Sequence, residues 1–515
     1  MIKQLMLAAM LATPCFAQDA PTEREQLKAI WDEIQGAQER LDEAQRLLVE
    51  FALRGRPTEP PVDPPVEGLP SWAPAPPPVP EYAIPTMADC EWIIEERTAR
   101  STRGLPDITL GATEEPYLLG KAYKASRAAG HPLPITFGVY DDAGVGVLGG
   151  GWSLWSDRSI YVDSGDGYED LSLEIVGLDP ICEVSIGWDV KWGWPERLGL
   201  FNIGLRGAPD SFVIRANEGI GTLIVDGCWF LPSVTFGAGN THASGIHMDN
   251  WHTLVLRNTQ WRGVRPEDPG INLREHVFYL KSCIGDGTWI LDNDLRGGNR
   301  TGFQIRPEFG QQQRPRGPVV ISGNVADGYG WNMGDTPSSF DGGSCITVWT
   351  NPEDRTWIFD NRIVDAKYGG LMVGGQPTGK NWLNAAGFPI HKVYVWGNTF
   401  ENSHQGHPAG LPKRSAASLT AVEGVHWGVN DLQNGARLDL NSQWGMQAHG
   451  IGNGLVQLHL SALPSYPIWT YDGSNRPMTP EELTALLVPP GPDPLPAPQP
   501  RVREAQPIAE PVRRR

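Results

Sequence analysis

Polar side chains recur at matching positions of seven short segments in the middle of the chain. The segments begin at residues 212, 246, 278, 303, 346, 371 and 419, and their first and third residues are apolar. In a strand these apolar residues share one face, so the second and fourth residues point to the other face. The second positions of the first six segments are Val213, His247, Tyr279, Gln304, Thr347 and Met372. The fourth positions are Arg215, Asp249, Lys281, Arg306, Trp349 and Gly374.

Stacking these segments as parallel strands, about 4.8 Å apart, predicts a wall of cations beside proton donors. Such a wall suits an acidic polysaccharide, because elimination from a uronate needs a cation at the carboxylate and a base for the C5 proton. Arg306 or Arg215 would neutralise the carboxylate, and Lys281 would act as the base. Tyr279 or His247 would return a proton to the leaving oxygen. The predicted catalytic residues are Lys281 and Arg306, and the predicted substrate-binding residues are Arg215, His247, Asp249, Tyr279, Gln304 and Trp349.

Other interpretations of the same residues stay open. The wall could contact a glycan without turnover, or form solvated surface ion pairs of little energetic value. Hydrolysis of the polygalacturonase type is weaker, because it needs clustered aspartates and the wall offers Asp249 alone. No metal site is expected from the dispersed cysteines. A calcium ion at Asp163, Asp166 and Asp170 is the alternative.

A second set of segments carries the repeat. It begins at residues 223, 254, 289, 320, 357 and 394, at spacings of 31 to 37 residues. The fifth position is a turn residue throughout: Gly227, Asn258, Asn293, Asn324, Asn361 and Asn398. Strand, turn, strand and loop in matched columns predict one coil of a parallel solenoid, with loops of variable length at one corner.

This repeat resembles the pectate-lyase-like superfamily of right-handed parallel β-helices, in which an asparagine ladder follows the turn. The resemblance implies an all-β fold and a site on the outer face, while the fold itself serves lyases, hydrolases, esterases and phage tailspikes. The stretch Glu275–Ser282, with Arg306 one rung later, also resembles the chondroitinase-B/alginate-lyase family, which pairs a lysine with an arginine on the next rung. This chain has Arg306-Pro307-Glu308 where that family usually has Arg-His-Gly.

The flanking sequence divides into segments of distinct composition. Residues 1–17 read as a cleaved signal peptide, and 18–56 carry heptads typical of a self-associating coiled coil. A helix docked on the same chain is the alternative for 18–56. The remaining predicted segments are a proline-rich linker at 57–86, forming a stiff extended spacer, an N-terminal cap at 87–150, the β-helix at 151–430, a C-terminal cap at 431–488 and a proline-rich tail at 489–515.

The net charge of the chain and the hydropathy of its segments limit the kinds of partner that it can bind. A formal net charge of −18 excludes nucleic acid as the main partner, because phosphate binding needs a basic surface. No segment is long and apolar enough to span a membrane. The predicted location is secreted, periplasmic or cell-surface.

A second outward feature is aromatic. Trp289, Trp357 and Tyr394 share one predicted column, and Phe359 and Trp396 share the next. We expect these rings to be buried beneath the C-terminal segment or a neighbouring subunit, since exposed aromatic ladders bind sugars or partners.

The sequence therefore predicts an exported, carbohydrate-active β-helix protein, a homo-oligomer through its coiled coil, with polysaccharide lyase as the leading activity. The alternative is a glycan-binding adhesin or a phage tailspike-like receptor-binding protein.

Overall fold

The computed structural model shows a mostly β chain dominated by parallel strands. It describes residues 69–95, 97–111, 118–140, 152–153, 171–178, 183–185, 188–190, 196–206, 212–216, 220–231, 244–262, 276–297, 301–306, 317–328, 345–348, 355–366, 369–374, 392–403, 416–420, 425–434, 436–440, 456–460, 463–471 and 475–487. The chain divides into two units, Met1–Val62 and Asp63–Arg515, and every described residue belongs to the second.

The parallel strands form three ladders, in each of which a strand pairs with the corresponding strand of the next repeat. The first ladder consists of Trp188–Val190, Phe212–Ala216, the first part of Ser244–Arg257, the first part of His276–Leu291, Thr301–Arg306, Ile346–Val348, Leu371–Gly374, Ala417–Thr420, Leu438–Leu440 and Ile468–Tyr471.

The second ladder follows the first within each repeat, and two long strands run through both. It consists of Ile135–Val139, Ser172–Gly177, Arg197–Phe201, Ile220–Asp226, the second parts of Ser244–Arg257 and His276–Leu291, Val319–Ser322, Thr356–Phe359, Val393–Trp396, Val425–Trp427 and Val456–Leu458.

The third ladder is a separate sheet of ten strands that follows the turn after the second ladder. It consists of Trp152–Ser153, Glu183–Ser185, Gly204–Arg206, Trp229–Leu231, Gln260–Arg262, Asp294–Arg296, Val325–Asp327, Arg362–Val364, Thr399–Glu401 and Asp431–Leu432. Repeated parallel pairing in this order is compatible with a β-helix solenoid.

Other elements lie at the two ends of the stack. Trp92–Glu95 pairs with Ile135–Val139 in parallel and with Thr98–Ser101 antiparallel, and Ile108–Thr109 extends that antiparallel pair. The helix Leu118–Ala128 packs its apolar side into the main core. Asn475–Pro477 pairs antiparallel with Ile468–Tyr471.

A second helix, Pro480–Leu486, follows the N-cap Thr479. The side chain of Thr479 accepts from the backbone N–H of Glu482, and the Glu482 carboxylate accepts from the backbone N–H of Thr479. This reciprocal pair satisfies two N–H groups at the helix start.

The predicted alternation along the first ladder is confirmed. Residues at the first and third positions, such as Phe278 and Leu280, are fully buried in the main core. Their neighbours Tyr279 and Lys281 point to the opposite face and do not belong to that core. Period-2 patterning therefore fixed which side chains face inward.

An amide ladder follows the second ladder along the turn. The Nδ2 of Asn324 donates to Oδ1 of Asn361 at 2.8 Å and to the carbonyl of Ile290 at 2.9 Å, and its own Oδ1 accepts from Asn293 at 2.8 Å. The same pattern runs on through Asn398. Each amide thus satisfies turn groups that are buried away from water.

The ladder differs from the sequence alignment at both ends. Asn258 is not a member, because Val255 pairs with Trp289 and the first segments are shifted by one residue. Thr259 takes its place and donates its hydroxyl to Oδ1 of Asn293 at 2.7 Å. At the other end Asn430 continues the ladder, accepting from Asn398 at 2.9 Å.

In seven successive repeats, the residue before the turn position has a left-handed backbone. These positions are Asn202, Gly227, Asn258, Asp292, Gly323, Asp360 and Gly397, with φ between 51° and 70°. Glycine, asparagine and aspartate tolerate that conformation best. At Gly323 and Gly397 a Cβ would also collide with the Oδ1 of Asp292 and Asp360 respectively. Both the backbone conformation and the available space therefore favour glycine at these two positions.

The outer side of the second ladder carries a second apolar cluster, which we call the aromatic face: Ile224, Val255, Trp289, Val320, Trp357, Phe359, Tyr394 and Trp396. The rings of Phe359 and Trp396 stack at 4.5 Å. Residues 69–86, called the proline segment below, pack against this face through Leu69, Trp72, Val79, Tyr82 and Ile84.

Two sequence expectations are corrected by this packing. The aromatic columns point outward as predicted, but their cover is the proline segment rather than the C-terminal segment or another subunit. The described part of the proline-rich run is also not a free spacer, because burial of its apolar side chains against the aromatic rings holds it on the sheet.

Several predictions fall outside the described residues. The signal peptide, the coiled coil, the calcium alternative at Asp163, Asp166 and Asp170, and the C-terminal tail all lie there. Within the described ranges, Cys90, Cys228, Cys283 and Cys345 are buried and form no disulfide. No helix in those ranges is long and apolar enough to cross a membrane.

Candidate functional site

The first ladder brings most of the predicted site residues together on its outer face, in a group called the polar wall below. His247 pairs with Tyr279, and Tyr279 pairs with Gln304. Two residues along, Asp249 pairs with Lys281, and Lys281 pairs with Arg306. These four pairings agree with the sequence alignment.

Two segments of that alignment are wrong in register. Arg215 pairs with His247 rather than with Asp249, so it belongs to the second-position column. The last segment pairs Ala417 with Leu371, two residues before the expected Leu419. Both errors move by two residues, which preserves the inward and outward alternation and therefore leaves no trace in the hydrophobic pattern.

The Asp249 carboxylate is the centre of the wall. Its Oδ1 lies 2.9 Å from Nζ of Lys281 and 3.2 Å from Nε2 of His247. All three side chains are 11–13% exposed, which is low for charged groups on the outside of a sheet. Partial burial strengthens their mutual attraction, because less water screens it.

The charge state of Asp249 follows from its neighbours. Burial alone would raise the pKa of this carboxyl, but hydrogen bonding and charge from His247 and Lys281 outweigh burial and lower the pKa. Asp249 is therefore a carboxylate at neutral pH, and it compensates the positive charge of Lys281.

The Tyr279 ring contacts two other residues of the polar wall. The rings of His247 and Tyr279 lie with centroids 4.9 Å apart, and Nζ of Lys281 lies 5.4 Å from the Tyr279 ring centroid. An ammonium at this distance is attracted by the face of the ring. Tyr279 thus contacts both the histidine and the lysine that flank Asp249.

The second-position column follows the sequence alignment through Thr347 and Met372 and continues beyond it through Ser418 and Asp439. Gln304 and Thr347 are almost completely buried, at 3% and 1% exposure. The buried Thr347 hydroxyl has no hydrogen-bond partner in the described part of the chain.

An acidic and cationic pair lies near the end of the column. Nε of Arg437 lies 2.9 Å from Oδ1 of Asp439, and the Arg437 guanidinium lies 4.3 Å from the centre of the Trp469 ring. Trp469 pairs with Asp439 and is the next residue of the column. The sequence analysis missed these residues because its predicted β-helix ends at 430, before the strand Leu438–Leu440.

The remaining predicted site residues lie outside the described side chains. The backbone places Arg215 beside His247 and Arg306 beside Lys281, but their side chains are outside the described part, as is the whole of Trp349. Among the described residues, no group of three or more histidine, cysteine, aspartate or glutamate side chains could hold a metal ion.

The arrangement can bind an anionic group and supply protons next to it. Lys281 and the always-charged Arg306 are adjacent on neighbouring strands, which suits a carboxylate or sulfate. His247 and Tyr279 offer a ring nitrogen and a phenol hydroxyl within the same surface. No protein-family model, curated protein or solved structure matches this chain.

Proposed function

We propose that this chain is an exported right-handed parallel β-helix protein that binds an acidic polysaccharide on the polar wall and cleaves it by β-elimination. The observation that carries the proposal is the pairing of Lys281 with Arg306 on adjacent strands, next to His247 and Tyr279. The three repeating ladders and the amide ladder through Asn324 support the β-helix and its resemblance to the pectate-lyase-like superfamily.

Each residue of the polar wall has a separate role in the proposed β-elimination. Arg306 neutralises the uronate carboxylate, which makes the adjacent C5–H bond more acidic. Lys281 in its neutral form removes the C5 proton, the electron pair forms the C4–C5 double bond, and the C4–O bond breaks. Tyr279 donates its proton to the leaving oxygen, and His247 is the alternative donor. Gln304 and the other predicted binding residues orient the sugar ring.

A direct assay tests this reaction. The full chain is incubated separately with alginate, polygalacturonate and chondroitin sulfate, and the ultraviolet absorbance of the unsaturated uronate is followed. We expect product from one of these polymers. Lys281→Ala and Arg306→Ala should each reduce the rate by about 10²–10⁴. Lys124→Ala, which removes an exposed lysine from the helix Leu118–Ala128, is the matched control and should leave the rate unchanged.

The substitution Arg306→Lys separates geometry from charge. A lysine keeps the positive charge but cannot hold a carboxylate through two parallel hydrogen bonds. We expect a rate between those of the wild type and Arg306→Ala. An unchanged rate in both Arg306 variants would contradict its role as the neutralising group.

A second candidate is a glycan-binding protein without turnover, such as an adhesin or a phage tailspike-like receptor-binding protein. The ion pair of Lys281 with Asp249 favours it, because a carboxylate at 2.9 Å stabilises the ammonium, and an ammonium binds anions but removes no proton. This candidate predicts no product from any polymer and weaker retention of Lys281→Ala in affinity electrophoresis. Absence of both turnover and binding would reject the two functions together.

Export and assembly complete the proposal. Residues 1–17 act as the signal peptide, and residues 18–56 form a coiled coil that makes the protein a homo-oligomer. Deleting residues 20–56 should convert the oligomer to a monomer in light scattering while the β signal in circular dichroism remains. Unchanged stoichiometry after the deletion would show that another surface holds the oligomer together.

A further inference from the structure

The proline segment is held on the aromatic face by specific contacts along its length. Trp72 stacks on His459 at 4.3 Å near one end, and the Tyr82 hydroxyl donates to Oδ2 of Asp226 at 2.8 Å near the other. Between them, two indole N–H groups of the sheet donate to backbone carbonyls of prolines. Trp357 donates to Pro74 at 2.8 Å, and Trp289 donates to Pro77 at 3.2 Å.

The spacing of these two hydrogen bonds matches a polyproline II helix. Trp289 and Trp357 are separated by two strand steps, because Val320 pairs with both of them. Two steps correspond to about 9.6 Å. Pro74 and Pro77 are three residues apart, which in polyproline II corresponds to about 9.3 Å, one full turn. Two strands that are two steps apart thus present indole N–H donors at a spacing that equals one turn of polyproline II.

The same agreement holds from the end of the first turn to Tyr82. From His426, which lies beneath Trp72, to Asp226, which bonds Tyr82, the second ladder advances by six strand steps. Six steps correspond to about 29 Å. Trp72 lies in a turn closed by the hydrogen bond from the Ala73 N–H to the Pro70 carbonyl, and the residues from Ala73 to Tyr82 span about 28 Å in polyproline II. A segment in another conformation would not keep both ends in register with the sheet.

Indole donors and aromatic rings that receive a preformed proline-rich helix are the elements by which peptide-recognition grooves bind such segments. We propose that the aromatic face is a recognition site for proline-rich segments in the polyproline II conformation, and that residues 69–86 occupy it as an intramolecular ligand that an equivalent segment can replace. The sequence that it reads has tryptophan, proline, proline and tyrosine at relative positions 1, 3, 6 and 11.

Binding of a free peptide tests this site. A fluorescent peptide of residues 69–86 is titrated by anisotropy into the full chain carrying Trp72→Ala and Tyr82→Phe, which loosen the intramolecular segment at its two ends. We expect saturable binding. The wild-type chain should bind at least about tenfold more weakly, because its own segment fills the site at a high effective concentration.

Two controls identify the contacts. Adding Trp289→Phe and Trp357→Phe to the loosened chain keeps the rings but removes both N–H donors, so the affinity should fall roughly thirtyfold. A peptide with glycine at positions 74, 76, 77 and 78 has the same carbonyls without the preformed helix, and it should also bind more weakly.

Two results would overturn the proposal. One is no peptide binding to a loosened chain whose circular dichroism and cooperative unfolding match the wild type. The other is equal binding by the chain that lacks both indole donors. If the loosened chain does not fold, Tyr82→Phe alone serves for the same comparison, because it removes a single hydroxyl.

Discussion

Nζ of Lys281 lies 2.9 Å from Oδ1 of Asp249, on the side of the sheet that faces away from the hydrophobic core. Neither residue is close to the other in sequence, and parallel pairing of two strands brings them together. Both side chains are largely buried, so little water screens the attraction between their charges. The pair therefore decides whether the polar wall is a stable surface.

Removing one partner of this pair should cost more than removing both. Asp249→Asn removes the carboxylate that lies 2.9 Å from the largely buried Lys281 ammonium, so we expect about 3 kcal/mol of lost stability in urea unfolding. The double variant Asp249→Asn with Lys281→Met should recover most of that loss. Glu401→Gln, which breaks the exposed pair with Arg362, is the control and should cost under about 1 kcal/mol. A small effect of Asp249→Asn would mean that water screens the wall.

The amide ladder should be a principal source of turn stability. Asn324→Leu removes the acceptor used by both the backbone N–H and the Nδ2 of Asn293, and these groups are buried. We expect a loss of about 2–3 kcal/mol in the free energy of unfolding. Gln433→Leu, which removes an exposed amide bonded to Asp431, should change stability far less. Equal effects of the two substitutions would contradict a ladder that stabilises the turn.

The glycines of the turn should tolerate alanine poorly for two separable reasons. Gly397 and Gly104 both have positive φ, but a Cβ at Gly104 would meet no atom within 4 Å. Gly104→Ala should therefore cost about 1 kcal/mol from backbone strain alone. Gly397→Ala should cost a further ~1–3 kcal/mol, because its methyl group collides with the Asp360 carboxylate.

The origin of that additional cost can be checked on the same chain. Asp360→Gly removes the carboxylate and keeps a residue that accepts positive φ. Combined with Gly397→Ala, it should bring the cost back towards the Gly104→Ala value in thermal unfolding. Strict additivity of the two substitutions would show that the collision is not the cause.

Stability should fall on acidification through the histidines beneath Trp72. His426 and His459 share a hydrogen bond of 2.9 Å, and burial lowers the pKa of both, that of His459 to about 4 from the ordinary 6.5. The folded state thus prefers neutral rings. Their contribution is present above pH 6.5 and is lost progressively as the pH falls towards 4. Because His459 is half-exposed, we expect a discounted loss of about 1–2 kcal/mol.

His459→Phe isolates this effect, because phenylalanine keeps a ring beneath Trp72 and cannot be protonated. Urea unfolding at pH 7 and pH 5 should show a smaller loss of stability in the variant than in the wild type. The same loss in both proteins would assign the pH dependence to carboxylates elsewhere in the chain.

The sequence alone determined the features that depend on local periodicity. Alternation of apolar and polar residues fixed the inward face of strands such as Phe278–Lys281, since successive side chains point to opposite sides. The turn residues identified Asn293, Asn324, Asn361 and Asn398 as one column. The pairing of Lys281 with Arg306 was predicted by aligning two adjacent segments, and strand pairing confirms that register.

Only the tertiary structure decided the register of the strands and which segment lies over the aromatic face. A shift by two residues leaves the hydrophobic pattern unchanged, so only strand pairing placed Arg215 beside His247. Strand pairing also placed Val255 opposite Trp289, one residue away from the sequence alignment, and so exchanged Asn258 for Thr259 in the amide ladder. Local sequence periodicity does not predict which segment of the chain packs over an outward-pointing aromatic ring. The proline segment covers Trp357 from a position 283 residues earlier in the chain, through the hydrogen bond from the indole N–H to the Pro74 carbonyl.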